Sequence, residues 1–326
     1  MQQRAAELRP LIVRTPVAPL NSALISQVLD GSIVHLKMEC FQHTGTFKAR
    51  GALSVTQAIS SANKRRGITA ASAGNHAIAS AWAARQCGLN AKVVMQSSAN
   101  PFRVALAKAE RAEIIMKDGG PATFGEAERL QSEEGRTFIH PFEGVNTSLG
   151  TAGVGLEFLE DVPDLEAVIV SVGGGGLISG IAAAVKAINP ECKVYGVEPE
   201  GADSMSRSLA AGRPVMLDTV DTIADSLAPP MALPLGHALC AAYVDDIVTV
   251  TDDDICAGMV ILQQEAKLAV EPAVGAVMAG VMRPLRNRLK GKRVGLVVCG
   301  ANIDVTSYSK LLERGQINIS RLTNYS

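Results

Sequence analysis

The segment Val168-Ile169-Val170-Ser171-Val172-Gly173-Gly174-Gly175-Gly176-Leu177 runs from β-branched residues directly into four consecutive glycines. The alanine-rich stretch 177–188 that follows has the apolar spacing of a helix. A strand, a glycine loop and a helix in this order predict one strand–loop–helix unit of an α/β protein. Four glycines cost backbone entropy on folding, so a loop with only a structural role rarely keeps them.

The same alternation of β-branched runs and helical patterns extends over most of the 326 residues. The predicted strands are 33–37, 68–71, 92–95, 114–116, 168–172, 194–197, 247–250 and 293–298. The clearest helical patterns are 77–87, 104–111, 177–188 and 255–268. This alternation predicts an α/β fold with mostly parallel, twisted sheets covered by helices. The length suffices for two such lobes or one large one.

The composition excludes several classes of protein. Hydrophobic residues make up 47% and charged residues 19% of the chain, and the formal net charge is −1, so no surface for nucleic acid or an anionic membrane is expected. The six cysteines form no C-x-x-C pair, which argues against a zinc site and a disulfide framework. No stretch reaches transmembrane length, and no apolar leader follows Met1. We therefore expect a cytoplasmic protein with no nucleic-acid or membrane partner.

The glycine loop at 173–176 predicts an anion site. Without β-carbons its N–H groups can close on a phosphate, and the N-terminus of the following helix adds partial positive charge. A tight strand-to-helix turn without a ligand is the alternative. The loop lacks the lysine of the G-x-x-x-x-G-K-[ST] phosphate loop, and it matches the dinucleotide pattern G-x-G-x-x-G only loosely.

A second candidate segment is Thr44-Gly45-Thr46-Phe47-Lys48-Ala49-Arg50-Gly51. A lysine among small residues and beside an aromatic one can enter a partly buried site, where desolvation lowers its pKa and leaves a neutral amine to attack an aldehyde. Most lysines only solvate a surface, so Lys48 alone carries little weight. An amine for an aldehyde, together with a loop for a phosphate, indicates pyridoxal phosphate as the cofactor.

The third segment, Ser72-Ala73-Gly74-Asn75-His76, also ends a predicted strand and begins a helical pattern. Its amides can bind another anion, such as the carboxylate of an amino acid, and Asn75 can donate a hydrogen bond to a ring oxygen. His76 has the alternative role of a core or helix-capping histidine. We therefore expect a small amino-acid substrate.

From about Arg14 to Asn302 the chain resembles the fold-type II pyridoxal-phosphate family, in the branch that contains threonine dehydratase, serine dehydratase and serine racemase. The matching stretches are Thr46-Phe47-Lys48-Ala49-Arg50-Gly51-Ala52, Ser72-Ala73-Gly74-Asn75-His76-Ala77, Gly173 to Gly176, Val197-Glu198-Pro199, Thr222-Ile223-Ala224-Asp225, Glu271-Pro272-Ala273 and Cys299-Gly300-Ala301-Asn302. Each stretch is modest alone, but their order and separations are specific.

The resemblance implies roles for named residues. Lys48 is implied as the catalytic residue, which also holds the cofactor aldehyde covalently. The other implied cofactor contacts are Phe47 on one ring face, Asn75 at the 3′-oxygen, Gly173, Gly174, Gly175 and Gly176 at the phosphate, and Cys299 beside the pyridine nitrogen. The implied residues around the substrate carboxylate are Ser72, Gly74, Asn75 and His76.

The resemblance also implies an architecture like that of the tryptophan synthase β-subunit. Residues 1–41 and 143–326 would form a large cofactor-binding domain, and residues 42–142 a smaller, mobile domain. It further implies a homodimer. No separate regulatory domain is expected, and residues 317–326 are expected to form a tail.

A cation site is a further implication. Glu198 with Ala202 is similar to the cation site of the family, but Ser204 stands where divalent-binding members have an aspartate. One carboxylate fewer weakens the prediction of Mg²⁺ or Ca²⁺, which prefer charged oxygen ligands. A monovalent cation, or none, is therefore expected more than a divalent one.

Two positions bear on the reaction. Racemases of this branch carry a serine as proton donor where this chain has Ala73, so elimination without appreciable racemisation is expected. Relatives that act on acidic side chains carry an arginine near the position of Phe124. Threonine, serine or an apolar β-hydroxy amino acid is therefore expected as the substrate rather than hydroxyaspartate.

We therefore expect a dehydratase, or ammonia-lyase, that converts a β-hydroxy amino acid, threonine or serine first, to a 2-oxo acid and ammonia. An amino-acid racemase or a β-replacement synthase on the same fold is the alternative. A nucleotide-binding oxidoreductase is a more distant alternative, since no cleanly spaced acidic residue for a ribose follows the glycine loop. A non-enzymatic binding protein is also more distant, since it would not require Lys48.

Overall fold

Two sheets organise the chain. The computed structural model describes residues 1–72 and 74–323. The strands are β1 (Val17–Pro19), β2 (Ile33–Lys37), β3 (Ile68–Ala71), β4 (Ala91–Gln96), β5 (Glu113–Lys117), β6 (Thr137–Ile139), β7 (Ala167–Ser171), β8 (Lys193–Pro199), β9 (Asp246–Val250) and β10 (Arg293–Val297). The helices are α1 (Gln2–Leu8), α2 (Ala23–Val28), α3 (Lys48–Gln57), α4 (Ser61–Lys64), α5 (Asn75–Gln86), α6 (Pro101–Ala109), α7 (Gly119–Glu134), α8 (Val145–Asp161), α9 (Ile178–Ile188), α10 (Ser204–Ala211), α11 (Pro234–Tyr243), α12 (Asp252–Ile261), α13 (Pro272–Met282), α14 (Arg286–Leu289), α15 (Val305–Asn318) and α16 (Ser320–Thr323). Within the described residues, no helix is long and apolar enough to cross a membrane.

The larger sheet has the strand order β1-β2-β10-β7-β8-β9, and only β1 runs antiparallel to its neighbour. Every residue of β7 is buried. This explains its nearly continuous apolar run, because a parallel strand in the middle of a sheet is covered on both faces. Helix α13 is also buried throughout and packs against β7, β8 and β9.

The smaller sheet has the order β5-β4-β3-β6 and is parallel throughout. Its strands all come from residues 68–139, whereas those of the larger sheet come from residues 17–37 and 167–297. The predicted α/β fold with two lobes of mostly parallel sheets is confirmed. The domain boundaries at residues 42 and 142, and the mobility of the smaller domain, stay predictions.

The sequence predicts the buried strands more accurately than the short ones. Strands β2 and β3 have the predicted bounds, and β7 is displaced by one residue. Strands β1 and β6 are not predicted from the sequence, since three residues are too few for a recognisable alternation. The expected tail is wrong for residues 317–323, because α15 and α16 continue there and Leu322 packs into the core of the larger sheet. Residues 324–326 lie outside the described residues.

A buried ion network fixes α3 in place. The fully buried guanidinium of Arg50 donates to Glu39 at 2.8 Å and to Glu157 at 2.7 Å. Lys37, which is also fully buried, donates to Glu157 at 2.8 Å. Glu157 belongs to α8, and Glu39 lies shortly after β2. The network therefore holds the first turn of α3, which begins with Lys48, against elements next to the larger sheet.

Arg50→Ala is expected to lower the free energy of unfolding by about 3–5 kcal/mol, because Glu39 would stay buried without its cation. Urea denaturation followed by circular dichroism measures this change. Arg85→Ala is the matched control: the Arg85 side chain is 43% exposed and pairs with Glu110. Its loss should cost about 1 kcal/mol or less. Equal costs for the two variants would contradict a structural role of the network.

Candidate active site

A cavity of about 520 Å³ lies where strands of both sheets end. The segments after β3 and β6 line it from the smaller sheet, and those after β7 and β10 line it from the larger one. This is the edge at which open α/β sheets bind ligands. The predicted site residues that line the cavity are Phe47, Lys48, Ser72, Gly74, Asn75, His76, Gly173, Gly174, Gly175, Gly176 and Cys299. Segments that are far apart in the sequence thus meet at one cavity.

Two backbone contacts place Lys48 at this cavity. Thr46 forms an isolated antiparallel bridge with Gly300, just after the end of β10. The N–H of Phe47 donates to the carbonyl oxygen of Cys299 at 3.0 Å. Since α3 begins at Lys48, these contacts hold its first residue beside the segment that contains Cys299.

The side chain of Lys48 is partly buried. Its Nζ donates to the carbonyl oxygen of Pro141 at 2.6 Å and lies 5.0 Å from the centroid of the Phe47 ring. Burial lowers the pKa of Lys48 to about 8, while the nearby Glu271 and Cys299 raise it. The neutral amine is therefore accessible near physiological pH, where an ordinary lysine stays protonated.

The loop from Gly173 to Gly176 presents unpaired N–H groups. Gly175 has a φ of +86°, a conformation that favours glycine. A β-carbon on Gly174 would lie 2.2 Å from the ring of Phe142. Within the described residues, none of the four N–H groups has a hydrogen-bond acceptor, although the last three glycines are buried. Buried donors of this kind need an acceptor from a ligand, and the N-terminus of α9 favours an anion.

Asn75 belongs to a polar network on another side of the cavity. Its Nδ2 donates to Glu271 at 2.8 Å, and its Oδ1 accepts from Asn302 at 2.9 Å. Arg103 donates to the carbonyl oxygen of Asn302 at 3.0 Å and forms an ion pair with Asp225. Burial raises the pKa of Glu271. One hydrogen of the Asn75 amide is thus used within the protein, and the second is available to a ligand.

Neither Arg103 nor Glu271 has a role that is predicted from the sequence. Glu271 does belong to one of the matching stretches, Glu271-Pro272-Ala273, and this is the signal that could have identified it. Arg103 lies in α6, where its neighbours have an ordinary helical pattern. Only its contacts with residues that are distant in the sequence distinguish it.

The loop before α5 forms hydrogen bonds within the protein and also lines the cavity. The Ser72 hydroxyl oxygen accepts from the N–H of Gly74 at 3.0 Å. His76 is buried, and its Nε2 lies 2.8 Å from the carbonyl oxygen of Ile139. Burial lowers the pKa of His76 to about 3, so the ring is neutral. These contacts favour the alternative role of a core histidine, although His76 also lines the cavity. Ala73 lies outside the described residues.

Comparison with known proteins gives the family of this chain. A family model described as "Pyridoxal-phosphate dependent enzyme" matches residues 8–300. The chain belongs to this family. It is similar to the phenylserine dehydratase of Ralstonia pickettii (44% identity over 95% of this chain and 94% of that protein) and to the L-threonine ammonia-lyase of Thermotoga maritima (38% over 96% and 77%). The solved structure of maize serine racemase matches with a TM-score of 0.89 at 33% identity, covering 97% of this chain and 96% of that one.

The cofactor of this family of enzymes is pyridoxal phosphate, and the residues of the cavity fit it. The unpaired N–H groups of the glycine loop suit a phosphate, and the amine of Lys48 suits an aldehyde. Cys299 is buried, with its Sγ 3.5 Å from the hydroxyl of Ser171 and 4.0 Å from Glu271. Burial raises the pKa of the Cys299 thiol, which is therefore neutral. A neutral thiol is compatible with a pyridine nitrogen but gives it no counter-charge.

The predicted cation residues lie away from the cavity. Glu198 accepts hydrogen bonds from the N–H of Met205 at 2.9 Å and from the N–H and hydroxyl of Ser206 at 2.9 and 2.6 Å. Burial raises the pKa of Glu198 to about 7. Ala202 and Ser204 are buried, and the Ser204 hydroxyl has no partner among the described residues. Throughout the residues that the structure describes, no three or more His, Cys, Asp or Glu side chains lie together so that they could hold a metal ion. The carboxylate of Glu198 accepts its hydrogen bonds from the first turn of α10. Cation binding stays a prediction.

Gly174→Ala is expected to weaken the binding of pyridoxal phosphate by about tenfold or more, because overpacking against Phe142 costs about 1–3 kcal/mol. Absorbance titration of the cofactor-free protein measures the dissociation constant. Gly125→Ala in α7 is the matched control, since its added β-carbon would meet nothing within 4 Å. If both variants bind the cofactor as the wild type does, the glycine loop is not the phosphate site.

Proposed function

We propose that the protein is a dehydratase, or ammonia-lyase, that removes water and then ammonia from a β-hydroxy amino acid to give a 2-oxo acid. The observation that carries this proposal is the amine of Lys48, with its lowered pKa, in the same cavity as the unpaired N–H groups of the glycine loop. Two similar proteins, a phenylserine dehydratase and an L-threonine ammonia-lyase, add support.

Lys48 acts as the general base of the proposed reaction. When bound, pyridoxal phosphate supplies an aldehyde that condenses with the substrate amine and a conjugated ring that makes the Cα proton acidic. The amine of Lys48, free once the substrate has bound, then takes this proton. Its lowered pKa suits this role, because only the uncharged amine can accept a proton.

The N-terminus of α5 is the proposed site for the substrate carboxylate. Within the described residues, the N–H groups of Asn75 and His76 have no acceptor, and both residues line the cavity. The partial positive charge of a helix N-terminus favours a carboxylate there. Ser72 and Gly74 shape this loop through their mutual hydrogen bond. Asn75 and Cys299 are proposed to contact the cofactor ring.

The neutral thiol of Cys299 favours elimination. It offers no negative charge to a pyridine nitrogen, unlike a carboxylate, because burial raises its pKa. Negative charge that arises at Cα is then expelled with a leaving group more readily than it is stored on the ring. This is our reason for preferring elimination to racemisation, together with the lack of a hydroxyl in Ala73. The racemase alternative stays open, since maize serine racemase has a similar structure.

Much of the cavity wall is apolar, which bears on the substrate. Phe124 lines one side, and Pro229, Met231 and Leu233 line another. Phe124 carries no charge for a second carboxylate. We therefore propose threonine, serine and bulkier apolar or aromatic β-hydroxy amino acids as substrates, rather than hydroxyaspartate. The similarity to a phenylserine dehydratase supports the aromatic members of this class.

We also propose the domain organisation, the oligomeric state and the location of the protein. Residues 42–142 form a smaller mobile domain, and its closure is supported by the ion pair of Arg103 with Asp225 and by the hydrogen bond of Asn100 with Asp304 at 2.7 Å. The homodimer rests on the resemblance to the family. A cytoplasmic location is supported by the cysteines, all of which are free thiols in the described residues.

Lys48→Ala is expected to reduce ammonia release from L-threonine, L-serine and L-threo-phenylserine by at least about 10²–10⁴-fold, the usual contribution of a general base. Coupled assays of ammonia and 2-oxo acid measure this loss. Lys108→Ala removes an exposed lysine of α6 and serves as the control. Chiral chromatography of the serine reaction tests the alternative, since D-serine formed faster than pyruvate would favour a racemase. Unchanged activity in Lys48→Ala would exclude the proposed mechanism.

Phe124→Arg is expected to shift the preference from phenylserine toward 3-hydroxyaspartate by about tenfold or more in kcat/KM, because the new cation can pair with the second carboxylate. The same coupled assay with both substrates measures the ratio. Phe41→Arg, at a residue that is 56% exposed, is the control. An unchanged ratio in Phe124→Arg would show that this position does not face the substrate side chain.

A further inference from the structure

His140 follows β6, and its hydrogen bonds fix its tautomer. Its Nδ1 accepts from the N–H of Phe142 at 3.3 Å and from the N–H of Glu143 at 3.0 Å. Burial, and next the positive charge of Lys48, lower the pKa of His140 to about 4. The ring is therefore neutral at physiological pH. A neutral imidazole whose Nδ1 accepts hydrogen bonds carries its proton on Nε2.

The Nε2–H of His140 has no acceptor within the described residues. His140 lines the cavity, and its Nε2 is not among the unpaired polar atoms that are sealed from the surface. His76, another imidazole at this cavity, differs because its Nε2 already faces the carbonyl oxygen of Ile139 at 2.8 Å. An unpaired, accessible donor on a residue that lines a ligand cavity indicates that the ligand supplies the acceptor.

The position of the His140 ring is well defined. The aromatic rings around it are those of Phe142, with centroids 4.6 Å apart, Phe138 at 5.8 Å and Phe124 at 6.0 Å. Their edge-on and tilted contacts fix the plane of the imidazole. The residue after His140, Pro141, accepts a hydrogen bond from Lys48 at 2.6 Å. His140 and Lys48 are therefore neighbours at the cavity, close enough for the charge of Lys48 to lower the pKa of His140.

We propose that His140 donates a hydrogen bond from Nε2 to the β-hydroxyl oxygen of the substrate, an inference that rests on the proposed function. During elimination Lys48 removes the Cα proton, the electrons of that bond form the Cα–Cβ double bond, and the electron pair of the Cβ–O bond stays with the oxygen. The oxygen takes up the proton held by Lys48 and leaves as water. His140 keeps its own proton and stabilises the negative charge that develops on the oxygen, as a preorganised neutral donor can.

The phosphate of the cofactor is the other oxygen acceptor that such a donor could serve. The glycine loop already offers it four N–H groups, and the N-terminus of α9 adds its partial charge. The phosphate therefore needs no further donor from an imidazole. The leaving hydroxyl does need one, because hydroxide is a poor leaving group without a hydrogen-bond donor or a proton.

Two substitutions separate the functions of the two ring nitrogens. His140→Asn retains an acceptor near the position of Nδ1 but lacks the Nε2–H donor, whereas His140→Gln places an amide N–H near the position of Nε2. Each holoenzyme is assayed for kcat/KM with L-serine and with β-chloro-L-alanine. The second substrate has the same carbon skeleton but loses chloride, which leaves without a donor. Cofactor absorbance and the thermal midpoint show whether each variant is folded and loaded.

His140→Asn is expected to lower kcat/KM for L-serine about 10²-fold and for β-chloro-L-alanine less than about threefold, and His140→Gln is expected to keep more of the serine activity. An equal loss on both substrates, or full serine activity in His140→Asn, overturns the inference. The affinity of the cofactor-free variants for pyridoxal phosphate should match that of the wild type. A loss of about tenfold would assign the donor to the phosphate and overturn the inference too.

The same assays distinguish this inference from the proposed function. A wild-type enzyme that releases chloride but yields ammonia from no β-hydroxy amino acid would overturn the proposed function, and the inference with it. A wild-type enzyme that dehydrates L-serine, with variants that fail the leaving-group comparison, would overturn only the role of His140.

Discussion

The position of the site depends on the ion pairs that the buried guanidinium of Arg50 forms. Its partners, Glu39 and Glu157, come from segments that flank the larger sheet, so the first turn of α3 cannot shift without separating buried charges. Such a separation costs several kcal/mol, because an uncompensated charge would stay in the interior. Lys48 begins this turn, and the network therefore determines where the amine meets the cavity. The hydrogen bond from the N–H of Phe47 to the carbonyl oxygen of Cys299 also fixes how the segment before α3 aligns with the segment after β10.

Burial also determines the charge of the cavity. It favours the neutral form of four side chains, Lys48, His76, His140 and Cys299. Four neutral side chains together with unpaired N–H donors suit a ligand that brings its own negative charge, as a phosphate and a carboxylate do. Arg103, whose guanidinium also lines the cavity, is already paired with Asp225. Within the described residues, the N–H groups of the glycine loop and of the start of α5 are therefore the unpaired donors that an anion would meet.

One cluster of aromatic rings lines the cavity and also fixes the orientation of His140. Phe124 contributes an apolar surface to the cavity and also contacts the ring of His140, with centroids 6.0 Å apart. Phe142 contacts that ring as well and approaches the glycine loop so closely that a β-carbon on Gly174 would overlap it. The shape of the cavity, the orientation of the imidazole and the path of the loop therefore depend on the same few side chains.

The sequence alone determines the alternation of strands and helices, the glycine loop after β7 and the lysine among small residues, because each is a local pattern. It also places Asn75 and Cys299 in recognisable segments. It does not reveal Arg103 or the unpaired Nε2–H of His140, and it does not show that the oxygens of Glu198 accept hydrogen bonds from α10. These properties arise only when segments that are distant along the chain come together, since burial and hydrogen-bond partners, not residue type, decide which polar groups stay free for a ligand.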